Sequence, residues 1–205
     1  MSAEMEELMS SLAVDRVPSA WQQRPYNYPS LRPLGDWLTD LRKRIDQLQE
    51  WTLNPLEIPR TTWIAGLFNP QRFLTAVLQT AAQMQMLELD KLMVSTLVLK
   101  RHVEDIESGA RDGAYIHGLY LEGARYDVPS GQLAPCKPKE MAFAMPVLQI
   151  KAVSVTTAGG SNIFYCPVYK TQERGPTFVW SANMRTKQPA AKWVLAGTCM
   201  TMEIV

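Results

Sequence analysis

The hydrophobic period of this sequence changes once. Up to about residue 110 the apolar residues recur every three or four positions, the spacing of a helix face. Beyond that point they alternate, the spacing of a strand. The charge changes at the same place: residues 1–60 carry −2, residues 61–110 carry −1, and residues 111–205 carry +4. Helices followed by strands predict an α+β fold. We read residues 1–110 as a helical subdomain and residues 111–205 as a small antiparallel β-barrel of about six strands. The junction is expected near Glu107–Arg111, and Met93–Lys100 is available to add a strand to the barrel.

In the front half, Met5, Leu8, Met9 and Leu12 share one face of a short helix that Val17-Pro18 stops. A connector rich in proline and aromatic residues runs from Trp21 to Pro33. The strongest amphipathic pattern follows: Leu34, Trp37, Leu38, Leu41, Ile45, Leu48 and Trp51 form a stripe, with Asp40, Arg42, Lys43, Arg44 and Asp46 assigned to the opposite face. Ser30 is its expected N-cap. Asn69-Pro70 starts another helix, because asparagine caps free N–H groups and proline at the first position lacks none that is needed. Phe73, Leu74, Val77, Leu78, Ala81 and Met84 continue its apolar face. The residues before it, Trp63–Phe68, fit either an extended or a short helical segment.

In the back half the expected strands are Ala114–Glu122, Val147–Val153, Ile163–Tyr169, Thr177–Ser181 and Val194–Ile204, separated by turn-forming clusters. Asp112-Gly113 reads as a tight turn into the first of them.

Composition narrows the function. A net charge of +1 predicts neither nucleic acid nor anionic lipid as a partner. No apolar run approaches the roughly 20 residues that span a bilayer. The acidic first residues lack the make-up of a secretory signal, and three scattered cysteines predict a reducing, cytosolic setting. Two histidines fifteen positions apart, with no CxxC, are poor material for zinc. No phosphate-binding loop or GxGxxG or GxSxG pattern occurs, and Gly159-Gly160-Ser161 lacks the lysine such a loop needs. No catalytic, cofactor-binding or metal-binding residue is therefore assigned. The nearest nucleophile is Cys166 with His117 as base, but a mid-strand cysteine reads more simply as a small buried residue. Glu122, Arg125 and Asp127 read as an ion pair at a strand end before they read as an acid–base set. Trp37 and Trp51 read as core. Trp21, with Tyr26 and Tyr28, reads as a surface for packing against something outside this segment.

Several segments, taken in order, resemble the C-terminal domain of dynein heavy chains. They are Met5–Leu12, Val17-Pro18 with Trp21, Tyr28–Trp37, Trp63–Leu74, Asp112–Tyr126, Cys166–Thr171 and Lys192-Trp193. The word Cys166-Pro167-Val168-Tyr169-Lys170-Thr171 is most similar to axonemal heavy chains. Tyr126 replaces the tryptophan usual after Gly-Ala-Arg, which keeps an aromatic wall, and Val94–Lys100 is more apolar than the family pattern. Heavy chains of the family do not begin here, so Met1–Glu4 are expected to be a trimmed boundary or a cloning remnant.

The resemblance implies a non-catalytic cap on an ATP-driven microtubule motor of cilia or flagella. ATP and magnesium would belong to the AAA+ modules of the parent protein and not to this segment. The implied partners are the AAA+ ring modules of the same heavy chain and, indirectly, dynein intermediate and light chains. Contact with the microtubule would be made elsewhere in the motor. Trp21, Tyr26 and Tyr28 are the expected ring-docking residues. The alternative reading of the residues is a free-standing ligand-binding barrel or thiol enzyme using Cys166 and His117, with Glu122 at the barrel mouth.

Overall fold

The computed structural model describes residues 2–22, 32–156 and 162–202. They form two compact units. One comprises the residues up to Glu57 together with Gly66–Phe68; the other comprises Ile58–Ala65 and the residues from Asn69 onward. Ser30, Tyr26, Tyr28 and Gly159-Gly160-Ser161 lie outside the described residues.

The first unit is helical, with α1 (Ala3–Ala13), α2 (Ser19–Gln22) and α3 (Leu34–Leu53). The side chain of Ser2 caps α1 by accepting from the Met5 N–H, and Glu4 and Glu6 sit in its first turn, where the helix dipole favours them. Its small core holds Val17 and Trp37, packed by Trp21, Leu34, Leu41 and Phe68. Trp21 stacks on Trp37 with ring centroids 6.2 Å apart.

The stripe on α3 is only partly buried. Leu38 and Ile45 are exposed and Trp51 is half-buried. Asp40 and Arg44, which the pattern assigns to the solvent face, are buried instead, with Arg44 Nε 2.7 Å from Asp40 Oδ2. They lie three and seven positions after Trp37, on the same flank of the helix. Arg32 approaches the same carboxylate at 3.7 Å.

The second unit contains, in sequence order, β1 (Thr62–Trp63), α4 (Pro70–Gln85), β2 (Leu92–Val98), β3 (Ala114–His117), β4 (Tyr120–Glu122), β5 (Arg125–Asp127), β6 (Gln132–Ala134), β7 (Ala142–Ala144), β8 (Leu148–Ser154), β9 (Ile163–Tyr169), β10 (Phe178–Arg185), α5 (Ala190–Leu195) and β11 (Cys199–Thr201). Trp63–Phe68, for which the pattern allows two conformations, adopts both in turn: the end of a two-residue strand and then one 3-10 turn over Ile64–Gly66. Asn69 caps α4 by accepting from the Arg72 N–H at 3.2 Å, with Pro70 behind it. Leu74 and Ala81 are buried, while Met84 projects into solvent.

The strands make three sheets, ordered β1-β3-β8-β2, β10-β9-β11-β4-β7 and β5-β6. Alternation drives them: Leu148, Ile150 and Ala152 of β8 are buried, as are Phe164, Cys166 and Val168 of β9. Most pairs are antiparallel, but β1 runs parallel to β3 and β11 runs parallel to β9.

The fold is α+β as expected, but among the described residues no sheet closes into a barrel. β2 and β10 lie side by side. A backbone ladder there would be needed for closure, but the bond that joins these strands runs between side chains, from Trp180 Nε1 to Thr96 Oγ1 at 3.4 Å. A register shift between Phe178 and Trp180 interrupts β10 near this point.

In the second unit α4 packs against β8 and β2. Two strand boundaries differ from the expected ones. Ala114–Glu122 is two strands in different sheets, broken at Gly118. Val194–Ile204 is not one strand: α5 ends at Leu195, a turn through Gly197 follows, and β11 covers Cys199–Thr201.

Candidate functional site

The outer face of the five-stranded sheet carries a groove of about 360 Å³. Strand alternation builds it. The even-numbered residues of β9 enter the core, so Tyr165, Pro167 and Tyr169 face outward and line the groove. Val194 of α5 and Cys199 of β11 line it as well, with Phe164, Gly197 and Thr198. The rings of Tyr169 and Phe178 pack edge to face at 6.1 Å, which stiffens one end. Arg174 reaches in from the β9–β10 loop.

Glu122 on β4 holds that arginine, with Arg174 Nη2 2.8 Å from Glu122 Oε2. Arg174 Nη1 also donates to the Gly197 carbonyl at 3.3 Å. The other oxygen of Glu122 accepts from Thr201 Oγ1 at 3.3 Å, and Cys199 Sγ lies 4.0 Å from Oε2. The sequence predicts an ion pair among Glu122, Arg125 and Asp127; Glu122 does form one, with a different partner. Arg125 instead sits over the Phe143 ring at 5.4 Å, and Asp127 accepts from the Ser130 N–H at 3.1 Å. The partner of Glu122 comes from 52 positions away in sequence, a separation that local pattern does not encode.

The structure does not assemble the thiol site. Cys166 is fully buried in the core, and burial pushes its thiol far above the ordinary range, which disfavours the thiolate a nucleophile needs. His117 ends β3 in the other large sheet. Burial lowers its pKa, and Glu104 acts in the opposite direction. The Nδ1 of His117 has no hydrogen-bond partner among the described residues. Cys199 faces the groove while Cys166 faces the core, so the two thiols occupy opposite faces of the sheet. Burial also raises the Cys199 pKa, with Arg174 lowering it in part.

Trp21, expected to face outward, is half-buried on Trp37 within its own unit. Among the described residues no group of three or more His, Cys, Asp or Glu side chains is placed to hold a metal ion, and no helix is long and apolar enough to cross a membrane. Sequence reasoning misses the groove. The signal available for it is the Tyr-x-Pro-x-Tyr alternation of Tyr165, Pro167 and Tyr169.

A helical unit with a small core, joined in sequence to a unit of open β-sheets that carries an aromatic groove, defines a protein of α+β class. The family model for the C-terminal domain of dynein heavy chains matches residues 1–202, and the protein belongs to that family. It is 43% identical over 204 residues to "Dynein beta chain, ciliary" of Heliocidaris crassispina and to "Dynein axonemal heavy chain 17" of Homo sapiens. It is 46% identical over 205 residues to "Dynein beta chain, flagellar outer arm" of Chlamydomonas reinhardtii. Each match covers 100% of the present sequence and 4% of the relative's length.

Proposed function

We propose that this segment is a structural and regulatory cap of an axonemal dynein heavy chain, working in cilia or flagella. The observation that carries the reading is the family match across residues 1–202. The names of the relatives, "ciliary", "axonemal" and "flagellar outer arm", support the axonemal setting. ATP and magnesium would be bound by AAA+ modules of the parent protein, and intermediate and light chains would be met through it. The cap acts by contact: its interaction with the ring biases the equilibrium between ring states by about 1–3 kcal/mol, the ordinary range of allosteric coupling.

The helical unit has features suited to that contact. Met5 and Met9 on α1 and Leu38 and Ile45 on α3 are about half exposed, although they lie on the apolar stripes of their helices. Trp21, Tyr26 and Tyr28 remain proposed docking residues; Trp21 would act by holding Trp37, on which it stacks.

The test is a full-length heavy chain with Met5→Glu, Met9→Glu, Leu38→Glu and Ile45→Glu, compared with the triple alanine variant at Trp21, Tyr26 and Tyr28. Altered microtubule-stimulated ATPase or a lowered melting temperature of the motor is expected from either. Unchanged gliding velocity, ATPase and thermal stability in both would defeat the proposal.

A further inference from the structure

We propose that the connection between β9 and β10, residues 170–177, is a salt-sensitive strap: Arg174 latches it over the outer face of the five-stranded sheet, and its release uncovers Cys199 and opens the groove. The inference concerns the sheet unit alone and stands apart from the cap role.

The sheet itself shows a cover. In the pairing of β11 with β4, Cys199 lies opposite Glu122 and Thr201 opposite Tyr120. Met200 and Leu121 enter the core, so alternation turns Cys199, Thr201 and Glu122 to the outer face. Yet Cys199 is only 2% exposed and Thr201 0%. The Arg174–Glu122 pair lies against both. Glu122 Oε2 is 2.8 Å from Arg174 Nη2 and 4.0 Å from Cys199 Sγ, and Glu122 Oε1 accepts from Thr201 Oγ1 at 3.3 Å. β9 ends at Tyr169, beside Thr201, whereas the partners of Arg174 stand at the other end of β11: Glu122 faces Cys199, and the Gly197 carbonyl, 3.3 Å from Nη1, comes two positions before it. The segment therefore folds back along β11.

Its hold is polar and weak. Residues 170–177 include no Val, Leu, Ile, Met or aromatic side chain, and Gln172–Pro176 are exposed. A segment without large apolar side chains to bury opens at little cost. The latch is partly in water, with side chains 46% and 22% exposed, and salt screens such a pair. Within itself the strap is braced. Thr177 Oγ1 donates to the Glu173 and Thr171 carbonyls at 2.6 and 3.3 Å, and the Lys170 N–H donates to the Thr177 carbonyl at 2.9 Å. It is thus built to move as one piece, and the register shift between Phe178 and Trp180 places a break in the ladder directly after it.

The experiment follows labelling of the native 205-residue protein by fluorescein maleimide, mapped to each cysteine by mass spectrometry. The reagent is too bulky to enter the space left by one truncated side chain. Labelling of Cys199 should be slow in the parent protein and rise several-fold from about 0.05 M to about 0.5 M sodium chloride. It should be about threefold faster in Glu122→Gln and about tenfold faster in Arg174→Ala, which loses both ties, and neither variant should keep the salt dependence. Burial raises the Cys199 pKa and Arg174 offsets that in part, so losing the arginine would by itself slow the thiol; faster labelling in Arg174→Ala reads access. Cys166, in the core, should stay unlabelled throughout. Unchanged labelling of Cys199 in both variants, no rise with salt in the parent protein, or labelling of Cys166 in step with Cys199 would overturn the proposal, the last by showing that the sheet as a whole comes apart.

Discussion

Gly113 stands at φ +72°, and a Cβ there would come 1.8 Å from the Ile150 carbonyl oxygen. The Asp-Gly turn read from sequence is therefore also the point where β3 meets β8 backbone to backbone. Gly113→Ala should cost about 3 kcal/mol or more, through strain and clash together, and urea unfolding followed by tryptophan fluorescence would show it. His117 gives a pH dependence. Its folded pKa lies below the ordinary value because burial disfavours the charged ring. Above the unfolded value of about 6.5 both states are neutral and the contribution is fully present. As pH falls below that value the unfolded polypeptide takes up the proton first, so stability is lost down to the folded pKa. The urea midpoint of His117→Asn should therefore change less between about pH 7.5 and about pH 5.5 than that of the parent protein. The thiols give a third residue-scale outcome. Cys136 is half-buried, whereas Cys166 and Cys199 are buried. A thiol reagent should modify Cys136 first in the native protein and all three only in denaturant.

At the level of elements, what is readable from sequence depends on whether the deciding interaction is local. The start of α4 is legible because Asn69 and Pro70 act on their own next turn. Asn69→Ala should cost about 1 kcal/mol while Asn69→Asp costs little, measured by urea unfolding. β8 and β9 are legible because a half-buried strand writes its alternation into sequence, and β2 because β-branched residues are frequent in and around it. Legibility fails for Val194–Ile204, where α5 and β11 share an apolar run too short for either period to show. β5, β6 and β7, three residues each, escape a reading of period for the same reason. On α3 the difficulty is of another kind. Residue type alone places charged side chains in solvent, yet Asp40 and Arg44 neutralise each other and share the flank of Trp37. Arg44→Met leaves a buried carboxylate without its 2.7 Å partner and should cost about 3 kcal/mol, read from the loss of helical circular dichroism on heating.

For the molecule as a whole, the two compact units have unequal cores. The main core of the sheet unit runs from Ile64 to Met202, whereas the helical unit's cluster has two fully buried apolar residues, Val17 and Trp37, among the described ones. A core that small contributes little against the entropy of ordering its helices. The helical unit should therefore exchange its amide hydrogens earlier than the sheet unit. The segment after α3 carries Leu56 at 97% exposure. Thermolysin should cut there first and leave a resistant fragment starting near Ile58, identified by mass spectrometry.

Sequence alone determined that a helical front precedes a β-rich back, the family, and where α4 begins. Each of these is written in local spacing or in words of consecutive residues. Tertiary structure alone decided that the sheets stay open, that Arg174 is the partner of Glu122, and that the outward residues of β9 form a groove. Those outcomes depend on side chains brought together from distant parts of the polypeptide, and no short window of residues contains both halves of such a contact.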